Sequence, residues 1–223
     1  MNLISYEFGQ TLQPIRMEEV RPLSGLYLPD VLNAIGDRYR FISKPVDIGA
    51  AAANGAKFET GTIDLGGRAI AVGSLGIYND GLLVVCRNTD DSDIVVDNFL
   101  DWATETFGLR PSLGRLTRQH ASQVIVEFDT AIDKLVAGFA AVARMFETAL
   151  EASQGVKIDA HVHRIALSAD PSEGLPLTQT SFIIEARAGV PFSAKRYYSG
   201  APVKSSIHLK LLESIEKMCA AEN

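Results

Sequence analysis

Apolar residues recur at three- and four-residue spacing between Thr130 and Ser153: Ile132, Leu135, Val136, Phe139, Val142, Ala143, Phe146 and Leu150. That spacing predicts a long central helix with a buried stripe. Asp129 is suited to cap its start and Gly155 to end it. The other face carries Gly138, Ala141, Met145, Thr148 and Ala152, and charge is confined to Asp133, Arg144, Glu147 and Glu151, with Lys134 near the start. Small residues let a second backbone come close, so the pattern places this helix between a sheet and a further partner, either the terminal helix or another subunit.

Elsewhere the period is mostly two. Phe58 to Leu65, Ala69 to Val72, Leu75 to Tyr78 and Leu82 to Arg87 are apolar runs separated by Gly66-Gly67, Gly73-Ser74 and Asn79-Asp80-Gly81. Turn residues that accept positive φ between such runs predict an antiparallel meander. Ahead of it, residues 1–25 read as an irregular arm with one strand at Leu3 to Phe8. A short helix over Asp30 to Ile35 follows, then a strand over Tyr39 to Ile42 and a small-residue loop from Gly49 to Gly55. After the meander, Asp90, Asp91 and Asp93 open a helix whose apolar residues run from Ile94 to Phe107, with Gly108 as its stop; acid at a helix start is favoured by the dipole. Arg110 to His120 is a connection, and Gln123 to Phe128 a strand leading into the central helix. Lys157 to Leu167 and Thr180 to Ala188 read as a β pair, the second with clean alternation. A loop through Gly189, Pro191, Gly200 and Pro202 precedes a terminal helix over Ser205 to Ala221, striped by Ile207, Leu211, Leu212, Ile215 and Met218.

Strands in runs broken by a few helices indicate an α+β fold: a largely antiparallel sheet carrying the central, acid-capped and C-terminal helices. The chain reads as a single domain over 1–223, with 108–120 the place for any sub-division. Each half ends in a hairpin followed by a helix, and no residue pattern supports a duplication.

Composition narrows the function classes. Apolar residues make up 47% and charged residues 22% of 223, ordinary for a globular chain. No stretch approaches the roughly 20 apolar residues of a membrane span. The first twenty residues lack a basic flank before an apolar core, so the cytoplasm is the expected compartment. Cys86 and Cys219 are read as reduced thiols, and without a CxxC pair no structural zinc is expected.

Catalytic motifs are sparse. Asp159, His161 and His163 would share one face of a strand, with spacing that lets two imidazoles converge on a metal. Asp159-Ala160-His161-Val162-His163 resembles the first-strand motif of amidohydrolase-type metal-dependent hydrolases, which implies a (β/α)8 barrel. Residues 164–223 cannot supply that barrel, and the motif is read instead as polar residues on an exposed edge strand. Gly73-Ser74-Leu75-Gly76 lacks the nucleophile-elbow pattern. Gly76 to Gly81 has phosphate-loop spacing without the lysine, and no dinucleotide fingerprint occurs. Asp90, Asp91, Asp93, Asp97 and Asp101 lack the glycine and glutamate of a calcium loop. No cofactor and no catalytic or metal-binding residue is therefore assigned.

Charge is segregated. Residues 106–126 hold Arg110, Arg115 and Arg118 without an acid, and residues 186–212 hold Arg187, Lys195, Arg196, Lys204 and Lys210 without one. These windows carry +8, so with a net charge of −6 the rest of the chain carries −14. The second window interleaves Phe192, Tyr197 and Tyr198 with its bases, a mixture that suits single-stranded nucleic acid, another anion or an acidic protein surface. The sequence thus points to a non-enzymatic interaction or assembly protein, partnered by itself or another protein. The alternative is a module that binds nucleic acid or another anion through Arg187, Lys195, Arg196, Tyr197, Tyr198 and Lys204, and behind it stands a metal-dependent hydrolase using His161 and His163.

Overall fold

A computed structural model describes residues 1–15, 27–78, 80–108, 117–168 and 181–221. The fold is α+β, with an antiparallel sheet of eight strands and five α-helices among the described residues. The chain divides into two compact units: an N-terminal unit of Tyr6–Ser122 with Pro202–Ser205, and a C-terminal unit of Met1–Ser5, Gln123–Ala201 and Ser206–Asn223.

The N-terminal unit contains most of β1 (Asn2–Pro14), followed by α1 (Leu28–Arg38), α2 (Ile48–Asn54), β2 (Ala56–Leu65), β3 (Arg68–Tyr78), β4 (Gly81–Cys86) and α3 (Thr89–Phe107). Its strand order is β2-β3-β4-β1. Leu32 and Ile35 of α1 join Phe58, Ile70, Val72, Leu75, Val84 and the α3 residues Val95, Val96 and Phe99 in one core. Tyr39 sits in the middle of the aromatic part, 5.9 Å from Phe41, 6.3 Å from Phe99 and edge-on to Trp102 at 6.4 Å. Asn88 caps α3 by accepting the Asp91 N–H at 2.9 Å, and Gly108 ends it in the left-handed region at φ 64°. At Gly9 the β1 backbone runs so close to the start of α3 that a Cβ would lie 2.0 Å from the Asn88 carbonyl carbon.

The C-terminal unit contains most of β5 (Gln119–Glu127), a 3-10 stretch at Ile132–Phe139, α4 (Ala140–Gln154), β6 (Arg164–Ser168), β7 (Ser181–Ala186), β8 (Arg196–Ala201) and α5 (Ser205–Ala221). Its strand order is β5-β8-β7-β6. Both units therefore run strand, helix, three antiparallel strands, helix, with α2 the one addition in the first. The last helices agree residue by residue at a separation of 116: Thr89 with Ser205, Ser92 with His208, Val96 with Leu212 and Ala103 with Cys219, every one of them buried. The Thr89 N–H donates to Ser205 Oγ at 3.0 Å and the Ser205 N–H to Thr89 Oγ1 at 2.7 Å, a reciprocal cap.

Several expectations from the sequence need correction. Residues 2–14 form one strand and not an irregular arm; residues 16–25 of that arm lie outside the described residues. Tyr39 to Ile42 is a turn after α1, with one isolated bridge from Ser43 to Glu59. The Ala-rich stretch expected as a loop is α2, because Asp47 caps it by accepting the Ala50 N–H at 2.9 Å and alanine is a strong helix former. Gly73-Ser74 does not separate two strands; it lies inside β3, where the register with β4 shifts between Val72 and Ser74. Lys157 to Leu167 is strand only from Arg164, because Ala160 and Val162 give their N–H groups to the side chains of Glu147 and Asp133. The loop expected through Gly189, Pro191, Gly200 and Pro202 contains β8, in which Tyr197, Ser199 and Ala201 alternate into the interior. The loop through Asp170 and Pro176, Arg110 and Arg115, and Asn79 of the hairpin lie outside the described residues.

The central helix departs furthest. It begins as the 3-10 stretch, which Val136 interrupts with φ −129° and ψ 44°, and becomes α-helical only at Ala140. Gly155 ends it as expected, at φ 67°. Its apolar stripe forms, but α4 buries none of its residues.

Candidate interaction surface

The base of α4 is firmly held. The Ile132 N–H donates to Tyr197 Oη at 3.2 Å, and the ring of Tyr197 packs on Phe128 at 5.3 Å. Burial pushes the Tyr197 hydroxyl up in pKa, so it stays a neutral group able to accept that bond. Asp133 accepts the Val162 N–H at 2.8 Å and contacts His161 Nδ1 at 3.0 Å. Fourteen residues on, within α4, Glu147 accepts the Ala160 N–H at 2.8 Å. The segment after Gly155 is thereby laced along one side of α4.

The opposite side is uncovered. Phe139, Val142 and Phe146 are 53–61% exposed, with spacing of three and four residues that aligns them on one face, and Met145 beside that face is 72% exposed. Single exposed apolar residues are normal, whereas a contiguous stripe marks a contact surface. The same unit exposes Leu167 on β6 and Ile207, Leu211 and Met218 on α5. Ser205, His208, Leu212 and Cys219 of α5 face inward.

His161 is held by two carboxylates, Asp133 at Nδ1 and Asp159 at Nε2 at 3.3 Å, and stacks on Phe192 at 4.7 Å. The hydrogen bond His161 donates to Asp133 raises its pKa above the usual imidazole value, with the Asp159 charge acting the same way. His163 lies 3.5 Å from Glu185 instead. The two imidazoles thus have separate acidic partners, and among the described residues no group of three His, Cys, Asp or Glu side chains is arranged to hold a metal ion.

Two further polar clusters are visible only in three dimensions. Ser199 Oγ donates to the Ile183 carbonyl at 2.6 Å and lies 2.8 Å from His208 Nε2. The hydroxyl has one proton, so Nε2 is the donor of the second bond. Burial pushes its pKa down to about 4. Both residues are fully buried, so this Ser–His pair is packing and not an exposed nucleophile. In the N-terminal unit, Asp93 collects Lys204 Nζ at 2.6 Å, His120 Nε2 at 2.9 Å, Thr11 Oγ1 at 3.0 Å and Arg118 at 3.4 Å. Burial alone would raise the Asp93 pKa; the bonds from Lys204, His120 and Thr11 outweigh it and hold the carboxyl below its ordinary range. Arg118 continues to Gln13 at 3.0 Å and Asp97 at 2.7 Å.

The residues expected to bind an anion are spread over these arrangements. Arg187 is exposed just beyond β7. Arg196 pairs with Glu127 at 2.8 Å, Lys204 with Asp93, and Lys195 donates to the Asp129 carbonyl. Tyr197 is buried and Tyr198 half-buried. An anion at this loop has to compete with Glu127 and Asp93 for the two cations. The signal that could have located the Asp93 cluster is alternation: Thr11 with Gln13, and Arg118 with His120, are polar pairs at a two-residue period.

No protein-family model matches this chain, and no curated protein does. Among solved structures it is similar to the Methanococcus jannaschii TBP, with a TM-score of 0.43 and 9% identity over 99% of this chain and 98% of that one. Among the described residues no helix is long and apolar enough to cross a membrane.

Proposed function

We propose that this chain is a non-enzymatic interaction protein that forms homo-oligomers through α4. The observation that carries the reading is that α4 has an anchored base and a strongly apolar face, yet buries no residue of its own. Amphipathic helices owe most of their stability to covering that face, because isolated helices of this length are marginal in water. Covering the exposed parts of Phe139, Val142, Met145 and Phe146 contributes on the order of 1 kcal/mol per side chain. Cations and acids both border the surface, at Arg144 and Glu151, so it carries no strong charge of one sign to repel a second copy.

A double variant, Val142→Asp with Phe146→Asp, leaves the bonds at Ile132, Asp133 and Glu147 untouched. Sedimentation velocity at rising concentration should show association of the wild type and its loss in the variant. Equal sedimentation of the two proteins at every concentration refutes the reading.

A further inference from the structure

The two units share one element order, so the packing of α1 shows what a helix in the α4 position covers. In the N-terminal unit, α1 and the turn after it lie over the sheet and α3: Leu32, Ile35 and Tyr39 are buried, and Tyr39 touches Phe99 and Trp102. Applying the 116-residue separation to α5, Leu211 stands where Val95 does, Ile215 where Phe99 does and Met218 where Trp102 does. Val95 is 0% exposed and Leu211 is 43% exposed. On the sheet, Ile165 pairs with Ile184 as Phe58 pairs with Leu75, which makes β6 the counterpart of β2. Its Ile165 is only half-buried where Phe58 of β2 is fully buried, and Leu167 on the same strand is exposed. The C-terminal unit therefore has an apolar helix and an apolar receiving face, both uncovered.

Closure within the chain is opposed by the anchors already described. Ile132 to Tyr197 and Asp133 to Val162 hold the 3-10 stretch ahead of α4, and Glu147 to Ala160 ties α4 to the segment that follows it, in a position where α4 buries nothing. We infer that α4 of one copy docks on the β6–α5 face of a second copy, at Leu167, Leu211 and Met218, as α1 docks on β2 and α3. This deepens the assembly reading above and rests on it. Two such contacts related by a twofold axis close a dimer, each copy's α4 and β6–α5 face being occupied by the other.

The test uses two full-length chains with different tags, one carrying Phe146→Cys and the other Met218→Cys, mixed and treated with a short bismaleimide. The native Cys86 and Cys219 are buried, and the wild-type mixture serves as the control. A second pair, Val142→Cys with Leu211→Cys, covers the case in which one substitution disturbs folding, and circular dichroism checks each chain. The expected result is that most covalent dimer joins one tag to the other, with little linkage of like to like. Dimers joined only through two copies of residue 146 would overturn the docking while leaving assembly through α4 intact. A doubly substituted chain that links 146 to 218 within a monomer would overturn it in favour of closure on its own chain. A chain that is monomeric at every concentration would overturn both.

Discussion

Protonating His208 is a perturbation whose cost follows directly from its surroundings. Its ring is fully buried, its Nε2–H is given to Ser199 Oγ, and Phe182 stands edge-on at 5.9 Å. Its pKa falls from 6.5 to about 4 in the folded chain. The unfolded chain therefore binds the proton more readily between these values, so stability is complete above about pH 6.5 and declines as pH falls toward 4. At pH 5 the linkage amounts to about 2 kcal/mol, and at full protonation of both states to about 3 kcal/mol. His208→Gln keeps an N–H donor for Ser199 and removes the titration. Urea unfolding followed by circular dichroism, at pH 7.5 and pH 5, measures the difference. The wild type should lose about 2 kcal/mol more than the variant on going to pH 5. Parallel losses in the two proteins would refute the placement of a neutral imidazole at this position.

In the N-terminal unit, Asp93→Asn leaves Lys204, His120 and Arg118 without their shared carboxylate and should destabilise by about 3 kcal/mol, read by the fluorescence of Trp102 in urea. Because the Asp93 pKa is depressed, its contribution is present above the ordinary carboxylate range and lost as pH falls through the folded-state value; the variant should lack that acid-dependent part. Gly9→Ala drives a Cβ into the Asn88 backbone and should cost about 3 kcal/mol, lowering the melting temperature, whereas Gly138→Ala, with nothing within 4 Å of the added carbon, should not.

The α+β class, the meander, the acid-capped helix and the terminal helix were legible because local spacing decides them. α2 was missed because glycine and alanine were weighed as core formers, while the deciding feature was the Asp47 cap. The repeated element order was illegible because the matching positions share burial without sharing identity: Ser92 with His208, and Ala103 with Cys219. The central stripe was legible as a stripe and misread as buried, since periodicity reports that a face is apolar and says nothing about what covers it. The basic–aromatic loop was legible as composition only; the pairing of Arg196 with Glu127 and of Lys204 with Asp93 joins residues far apart in the chain.

The central claim is that another copy covers α4. The molar mass of the wild-type chain by light scattering, followed over a wide range of concentration, tests it most directly. The account predicts a rise from 24.1 kDa toward twice that value, with no further growth. A mass that stays at 24.1 kDa throughout would contradict it.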